Sequence, residues 1–145
     1  MFNLRKKIIF SFISSLMILS LLACSSEATP ESPDIESQID DYTKAIELEP
    51  NNGKAYNNRG ASYYNLGEYE KAIDDYSKAI DLDPNYSNVY YNRGDSYYNL
   101  GEHEKAIDDY TKATESNPPF YMKDMIRWSL EKALEDYSKH INLNP

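Results

Sequence analysis

The 145-residue sequence is poor in cysteine, and this excludes two devices that often stabilise small proteins. Cys24 is its only cysteine, so neither an intramolecular disulfide nor a cysteine-based zinc site can form. The chain must therefore depend on a buried apolar core. The roughly 120 residues that follow Cys24 are enough for one domain with such a core.

Positive charge is also scarce, because 24 Asp and Glu residues outnumber 15 Lys and Arg residues and give a net charge of −9. Residues 1–23 contain Arg5, Lys6 and Lys7 but no acid, so the chain from Cys24 onward carries −12, that is −9 minus 3. Nucleic-acid binding requires clustered basic side chains that displace counterions from phosphate. We therefore expect no nucleic-acid partner, and no docking on anionic lipid through side chains alone.

The hydrophobic run near the N-terminus is too short for an ordinary membrane span. It extends from Ile8 to Leu22 and is broken by four serines, whereas a spanning helix needs about 20 apolar residues. Basic residues precede it and small residues follow it, which is the layout of a secretory signal. Residues 1–23 are therefore predicted to be a signal peptide that is removed.

The residues Leu21–Cys24 resemble the lipobox of bacterial lipoproteins, with Leu22 as a mild departure. The resemblance implies cleavage before Cys24, lipid (palmitate) modification at this cysteine and a membrane anchor in the cell envelope. It favours the outer membrane of a Gram-negative cell, because Ser25 rather than aspartate follows. The alternative is an uncleaved signal anchor. Residues 24–35, rich in Ser, Glu and Pro, are predicted to be a flexible tether.

The rest of the chain repeats itself with a period of 34 residues. Residues 55–85 read AYNNRGASYYNLGEYEKAIDDYSKAIDLDPN, and residues 89–118 read VYYNRGDSYYNLGEHEKAIDDYTKATESNP. The same spacing relates residues 40–51 to residues 74–85. The recurring Tyr, Leu-Gly, Ala and Pro positions resemble the tetratricopeptide repeat (TPR) family over about residues 36–145. This resemblance implies an all-α fold, an α-solenoid of helix–turn–helix units.

The residues of one unit agree with this fold. Tyr56, Gly60 and Tyr63 are spaced so that they share one helix face, and Gly67 stands where a helix cap needs positive φ. Pro84 ends the second helix of the unit. A single helix pair cannot bury both of its faces, so the pairs are expected to stack.

The second helix of this unit, residues 69–82, has its small and aromatic residues on one face. Ala72, Tyr76 and Ala79 are spaced at i, i+4 and i+7. We expect Gly60 and Ala72 to let the two helices approach closely, with Tyr63 and Tyr76 filling the space beside them.

The two ends depart from the repeat. The first unit has only a second helix, predicted at roughly Ile35–Leu48. In the last unit, seven residues that include the Leu-Gly turn are missing, which is about two helical turns. We therefore predict that residues 120–142 form one long helix, or a helix with only a kink, and not a hairpin. The predicted units are a half repeat at 36–52, repeats at 53–86 and 87–119, and a shortened unit at 120–145.

The TPR resemblance implies that the first helices of the units line a concave face on which peptides or partner helices bind. Amides can pair with peptide groups and tyrosines supply rigid contact area. The alternative is that these side chains only keep an exposed groove soluble. By alignment the candidate residues are Asn57, Asn58, Ala61, Tyr64, Asn65, Tyr91, Asn92, Asp95, Tyr98 and Asn99.

Other conspicuous residues are given structural interpretations. Arg59 and Arg93 could clamp a ligand carboxylate, but they are predicted to pair with repeat acids such as Glu70 or Asp74. Trp128 is predicted to lie in the core. The repeated Asp-Asp pairs are predicted to be surface features; they are Asp40-Asp41, Asp74-Asp75 and Asp108-Asp109.

No catalytic or metal-binding motif is present in the sequence. His103 aligns with a tyrosine and His140 with an alanine, so the alignment indicates no ligand cluster, and the glycines belong to the repeat or its turns. We expect no catalysis, cofactor, metal or small-molecule substrate. The predicted function is a membrane-anchored scaffold for a protein or peptide partner. An assembly subunit of an envelope complex is the alternative, and an enzyme or its regulator is a less favoured third.

Overall fold

The computed structural model describes residues 34–143, and these residues form α-helices joined by short turns. The predicted signal peptide, Cys24 and the tether up to Pro33 lie outside the described residues. Within 34–143, no helix combines the length and the apolar character that crossing a membrane would need. The helices are α1 (Ile35–Leu48), α2 (Gly53–Asn65), α3 (Tyr69–Leu82), α4 (Ser87–Asn99), α5 (His103–Glu115) and α6 (Phe120–Leu143).

The N-terminal ends of the first two helices are capped by short polar side chains. The Asp34 carboxylate accepts a hydrogen bond of 2.8 Å from the Ser37 backbone N–H, and α1 begins at Ile35. The Asn52 side chain accepts one of 3.0 Å from the Ala55 N–H at the start of α2. Both contacts satisfy N–H groups that have no partner inside the helix. The predicted helix at Ile35–Leu48 is confirmed.

The turns inside the two complete units depend on glycine. Gly67 and Gly101 have φ values of 78° and 77°, a region that side chains with a Cβ disfavour. The Gly67 N–H donates to the Tyr64 carbonyl at 2.9 Å, and the Glu68 N–H donates to the Tyr63 carbonyl at the same distance. The predicted cap at Gly67 is confirmed, and it folds α3 back along α2.

The two helices of each unit approach closely because one of them carries a glycine. A Cβ placed on Gly60 would lie 2.9 Å from the Tyr76 ring, and one on Gly94 would lie 2.8 Å from the Tyr110 ring. Tyr76 and Tyr110 are almost completely buried. The predicted packing of glycine against tyrosine is confirmed, and it repeats in both units.

Two apolar clusters form a continuous core along the stack. The first centres on Ala72, Tyr76 and Val89, and the second on Tyr110 and Ile126. Tyr90 of α4 packs against both clusters, so neighbouring units share side chains instead of forming separate cores. This is the nearest-neighbour packing on which repeat proteins depend.

The last unit is one unbroken helix of 24 residues, as the shortened repeat predicted. Met122, Ile126 and Ala133 are buried and hold α6 against the preceding unit. The prediction that Trp128 lies in the core is wrong, because its relative exposure is 63%. Trp128 occupies the repeat position of Gly94, whose backbone faces the second helix of its own unit. No such helix follows α6 within the described residues.

Candidate protein-interaction groove

The first helices of successive units converge on one cavity of about 250 Å³, which we call the first-helix groove. α2, α4 and α6 contribute most of its side chains, and α5 contributes one tyrosine. Aromatic rings dominate the lining, with one acid and one lysine. The residues are Tyr64, Tyr91, Asp95, Tyr98, Asn99, Tyr110, Trp128, Ser129 and Lys132.

Half of the ten candidate residues from the sequence line this cavity: Tyr64, Tyr91, Asp95, Tyr98 and Asn99. The other five lie on α2 and α4 but do not line it; they are Asn57, Asn58, Ala61, Asn65 and Asn92.

Several of the asparagines connect neighbouring first helices. The Asn92 amide donates to the Asn57 side-chain carbonyl at 3.2 Å, and the Asn57 amide donates to Asn58 at 3.3 Å. The Asn99 amide donates to the Tyr64 hydroxyl at 3.0 Å and to the Asp95 backbone carbonyl at 2.8 Å. These side chains therefore hold α2 and α4 in register, a structural role that the sequence did not reveal.

Asp95 lies at the centre of a group of tyrosines. The Tyr110 hydroxyl donates to its carboxylate at 2.7 Å. Burial raises the pKa of Asp95, while hydrogen bonds from Tyr110 and Tyr91 act in the opposite direction. Burial, and then the charge of Asp95, raise the pKa of Tyr64 and of Tyr110. These hydroxyls therefore stay protonated at neutral pH and remain hydrogen-bond donors.

The residues of α6 that form one wall of the groove were not among the candidates from the sequence. Ser129 lies 3.3 Å from the Tyr91 hydroxyl, and the Lys132 ammonium lies 4.3 Å from the centre of the Tyr98 ring, to whose hydroxyl it also donates. That hydroxyl in turn donates to Asp136 at 2.5 Å. The sequence could have identified them, because the 34-residue shift places Ser129 and Lys132 at the positions of Asp95 and Tyr98.

The two repeat arginines make bidentate ion pairs with buried acids. Arg59 donates to the Asp75 carboxylate at 2.7 and 2.8 Å, and Arg93 donates to the Asp109 carboxylate at 2.7 and 2.8 Å. Pairing with a repeat acid was predicted, but the partners are not Glu70 or Asp74, which are both exposed.

The prediction that the Asp-Asp pairs are surface features is wrong for Asp75 and Asp109, which are buried. It is confirmed for the first member of each pair, since Asp40, Asp74 and Asp108 are all exposed, and also for Asp41. Adjacent residues point about 100° apart around a helix, so one member of a pair can face the core while the other faces water.

Each arginine also reaches the previous unit. Arg59 donates to the Thr43 hydroxyl at 3.1 Å, and Arg93 donates to the Ser77 hydroxyl at 2.9 Å. One guanidinium therefore connects three helices. Because these donors are engaged inside the protein, the arginines stabilise the stack and do not offer a clamp for a ligand carboxylate.

A second cavity, of about 440 Å³, lies where the α4–α5 turn meets the C-terminal half of α6. His103 and His140 both line it, together with Tyr137. Residues 34–143 contain no group of three or more His, Cys, Asp or Glu side chains arranged to hold a metal ion.

The stacked helix pairs, the inter-unit arginines and the shared groove define a helical-repeat protein of the interaction-module class. Comparison with family models identifies the family. The tetratricopeptide repeat model matches residues 53–86 and 87–120, and a TPR repeat model matches residues 34–67. Together the matches cover more than half of the chain, which therefore belongs to the TPR family. Members of this family are protein–protein interaction modules.

Solved structures agree with this assignment. The TPR2B domain of yeast Sti1, in a complex with pHsp70, has a TM-score of 0.67 and 25% identity, covering 70% of this chain and 84% of that chain. The Sgt2 TPR domain from Aspergillus fumigatus has a TM-score of 0.69 and 27% identity, covering 77% and 74%.

A third similar structure is the second TPR domain of human RPAP3 in complex with the HSP70 peptide SGPTIEEVD. Its TM-score is 0.63 at 28% identity, covering 68% of this chain and 80% of that chain. No curated protein matches the sequence.

Proposed function

We propose that this protein is a lipid-anchored scaffold of the cell envelope that binds a peptide or protein partner in the first-helix groove. The observation that carries the proposal is the lining of this groove, where Tyr64, Tyr91, Tyr98 and the exposed Trp128 surround one cavity. Tyrosine and tryptophan offer large rigid surfaces with polar tips, and they are enriched at the energetic centres of protein interfaces.

The groove does not suit an acidic peptide such as SGPTIEEVD, to which the RPAP3 domain is bound. Lys132 is the one basic side chain in the lining, and it is engaged with Tyr98 and Asp136. We therefore propose a partner other than an acidic chaperone tail.

A crosslinking pull-down from native membranes with the full-length lipidated protein tests the groove. A dominant partner crosslinked within residues 57–65, 91–99 or 128–132 supports the proposal. Crosslinks confined to residues outside the groove would overturn it.

Substitution of two groove tyrosines provides a second test. Tyr64→Ala combined with Tyr98→Ala removes two rings of the lining and should weaken capture of that partner, while helicity by circular dichroism stays nearly unchanged. Tyr42→Ala is the matched control, because Tyr42 is only partly buried on α1 and lies neither in the groove nor at the α6 edge. Equal capture by the double variant and the control would place the binding site elsewhere.

The lipid anchor is tested separately. Two or more acyl chains on Cys24, at about 0.8 kcal/mol per buried methylene, would hold the protein stably on a membrane. Cys24→Ser should abolish metabolic labelling by a palmitate analogue and leave the unprocessed precursor. Normal labelling of the variant would contradict the proposed anchor, whereas the groove proposal would be unaffected. If the cell is Gram-negative, we expect the labelled protein in the outer-membrane fraction.

A second candidate function is an assembly subunit of an envelope complex that holds its partner at the edge formed by α6. The exposed side chains of Phe120 and Tyr121 at the start of α6 favour it, because large exposed apolar groups mark interaction surfaces. Crosslinks from the native membrane concentrated on residues 120–145 would support this function. Turnover by the purified protein would instead indicate an enzyme.

A further inference from the structure

The half-buried carboxylate of Asp95 has hydrogen-bond donors but no cationic partner among residues 34–143. The Tyr110 hydroxyl donates to it at 2.7 Å, and the tyrosines around it are neutral. Lys132 carries the only positive charge in the lining, and its ammonium lies 3.8 Å from the Asp136 carboxylate. Asp95 therefore contributes an uncompensated negative charge to the groove. Burial raises the pKa of Asp95, in keeping with this cost.

The rings around Asp95 add a second attraction for a cation. The face of an aromatic ring carries negative charge density, and tryptophan is the strongest side chain of this kind. Trp128, which is largely exposed, lines the groove together with Tyr64, Tyr91 and Tyr98. Elsewhere in the protein the same attraction is already used, since the Arg93 guanidinium lies 5.9 Å from the Tyr97 ring.

The size of the cavity limits what can enter. Its volume of about 250 Å³ is below the ~300–1,000 Å³ typical of small-molecule sites. A single long side chain is therefore a better match than a complete small ligand. Lysine and arginine combine an apolar stem, which aromatic walls can cover, with a cationic end.

We propose that the first-helix groove binds its peptide partner through a basic side chain, lysine or arginine, whose charged end lies between the Asp95 carboxylate and the rings of Tyr64, Tyr91 and Trp128. This inference rests on the proposed function and specifies the chemistry of the partner at that site. The groove would therefore prefer a basic peptide, whereas the RPAP3 domain is bound to the acidic peptide SGPTIEEVD.

Peptide pools of defined charge test the inference. The full-length lipidated protein in nonionic detergent is titrated with four pools of N-acetylated, C-amidated octapeptides. Their central residue is lysine, arginine, glutamate or leucine, and the other positions are mixtures of uncharged residues. Acetylation removes the terminal ammonium, so any cation recognised is a side chain. Trp128 is the only tryptophan of the chain, so its fluorescence reports from the groove itself.

We expect the lysine and arginine pools to change the Trp128 emission at concentrations roughly tenfold or more below those required for the leucine pool, because hydrogen bonds to charged groups and cation–π contacts each contribute on this scale. Asp95→Asn keeps the size and the acceptor of the side chain but removes its charge, and it should clearly reduce the difference between the pools. Asp81→Asn is the matched control, because it makes the same charge change on an exposed residue of α3 outside the groove.

Folding of the variants is checked first, so that binding alone is compared. Asp81→Asn should have unchanged circular dichroism and an unchanged melting curve, and Asp95→Asn should have the spectrum of a folded protein. Equal responses to all pools, preference for the glutamate pool, or no response to any pool would overturn the inference. So would an unchanged preference in Asp95→Asn. If the native partner is still captured in the groove while the pools show no charge preference, the proposed function stands and only the basic side chain is wrong.

Discussion

The same sequence motif has different surroundings in the middle of the repeats and in their first helix, α1. In α5 the second acid of the motif, Asp109, is buried and bound by Arg93, with 2% of its side chain exposed. In α1 the equivalent acid, Asp41, is 71% exposed and makes only a 3.5 Å contact with Lys44 on its own helix. Both acids are aspartates at the same position of the repeat pattern. Their exposure differs because Arg93, on the first helix packed against α5, binds Asp109.

The comparison explains why α1 has no buried residue although it carries the repeat pattern. The position 34 residues before Arg59 is Ser25, so no arginine is available there for Asp41. Residue Tyr42 is only partly buried, whereas its equivalent Tyr76 is fully buried against Gly60. The burial of a repeat residue therefore depends on which helix packs against it, and within residues 34–143 α1 packs against α2 only.

The largest expected effect comes from removing the carboxylate of the buried acid. Asp109→Ala leaves the Arg93 guanidinium partly buried without its carboxylate, so we expect a loss of about 3–5 kcal/mol in the free energy of unfolding. Asp41→Ala removes an exposed side chain and should change stability by no more than about 0.5 kcal/mol. Urea denaturation followed by circular dichroism measures both. Similar losses for the two variants would contradict the structural difference between the middle and the end.

The next effect concerns the close helix approach. Gly94→Ala places a Cβ about 2.8 Å from the buried ring of Tyr110. The ring must move, and overpacking of this kind costs about 1–3 kcal/mol, less the small gain in helix propensity. The equivalent position in α6 is Trp128, which is largely exposed. Trp128→Ala should therefore change thermal stability by only about 0.5 kcal/mol. A larger loss for Trp128→Ala than for Gly94→Ala would contradict this account.

The smallest expected effect is on pH dependence. Burial raises the pKa of Asp95 in the folded protein above its value in the unfolded chain, so the ionised carboxylate destabilises the fold. This destabilisation is complete above the raised pKa and disappears as the pH falls through it towards the unfolded value of about 3.9.

Without ligand, Asp95→Asn should therefore melt at a higher temperature than the natural protein at pH 7, and the difference should shrink as the medium becomes acidic. Melting curves between neutral and acid pH measure it. Asp81→Asn should show no such convergence, and a variant Asp95→Asn that is less stable at pH 7 would contradict the prediction.

Most of the fold followed from the sequence because its signals are local and repeated. The 34-residue period, the turn at Gly67 and the missing turn in the last unit each act within one or two helices. Half of the candidate groove residues could be located in the same way, by their position on the first helices. The predictions for Trp128 and Asp109 failed because burial is decided by a neighbouring helix.

By itself the sequence determined the helical-repeat class, the pairing of glycine with tyrosine and the single helix at the C-terminal end, since each of these depends on spacing along the chain. Only the tertiary structure decided the rest. It showed that Ser129 and Lys132 complete the groove. It also showed that Arg93 binds Asp109 and Ser77 across three helices, and that no cation of residues 34–143 pairs with Asp95. The physical reason is that charge pairing and burial depend on distances between helices, and the spacing of residues along the chain does not give these distances.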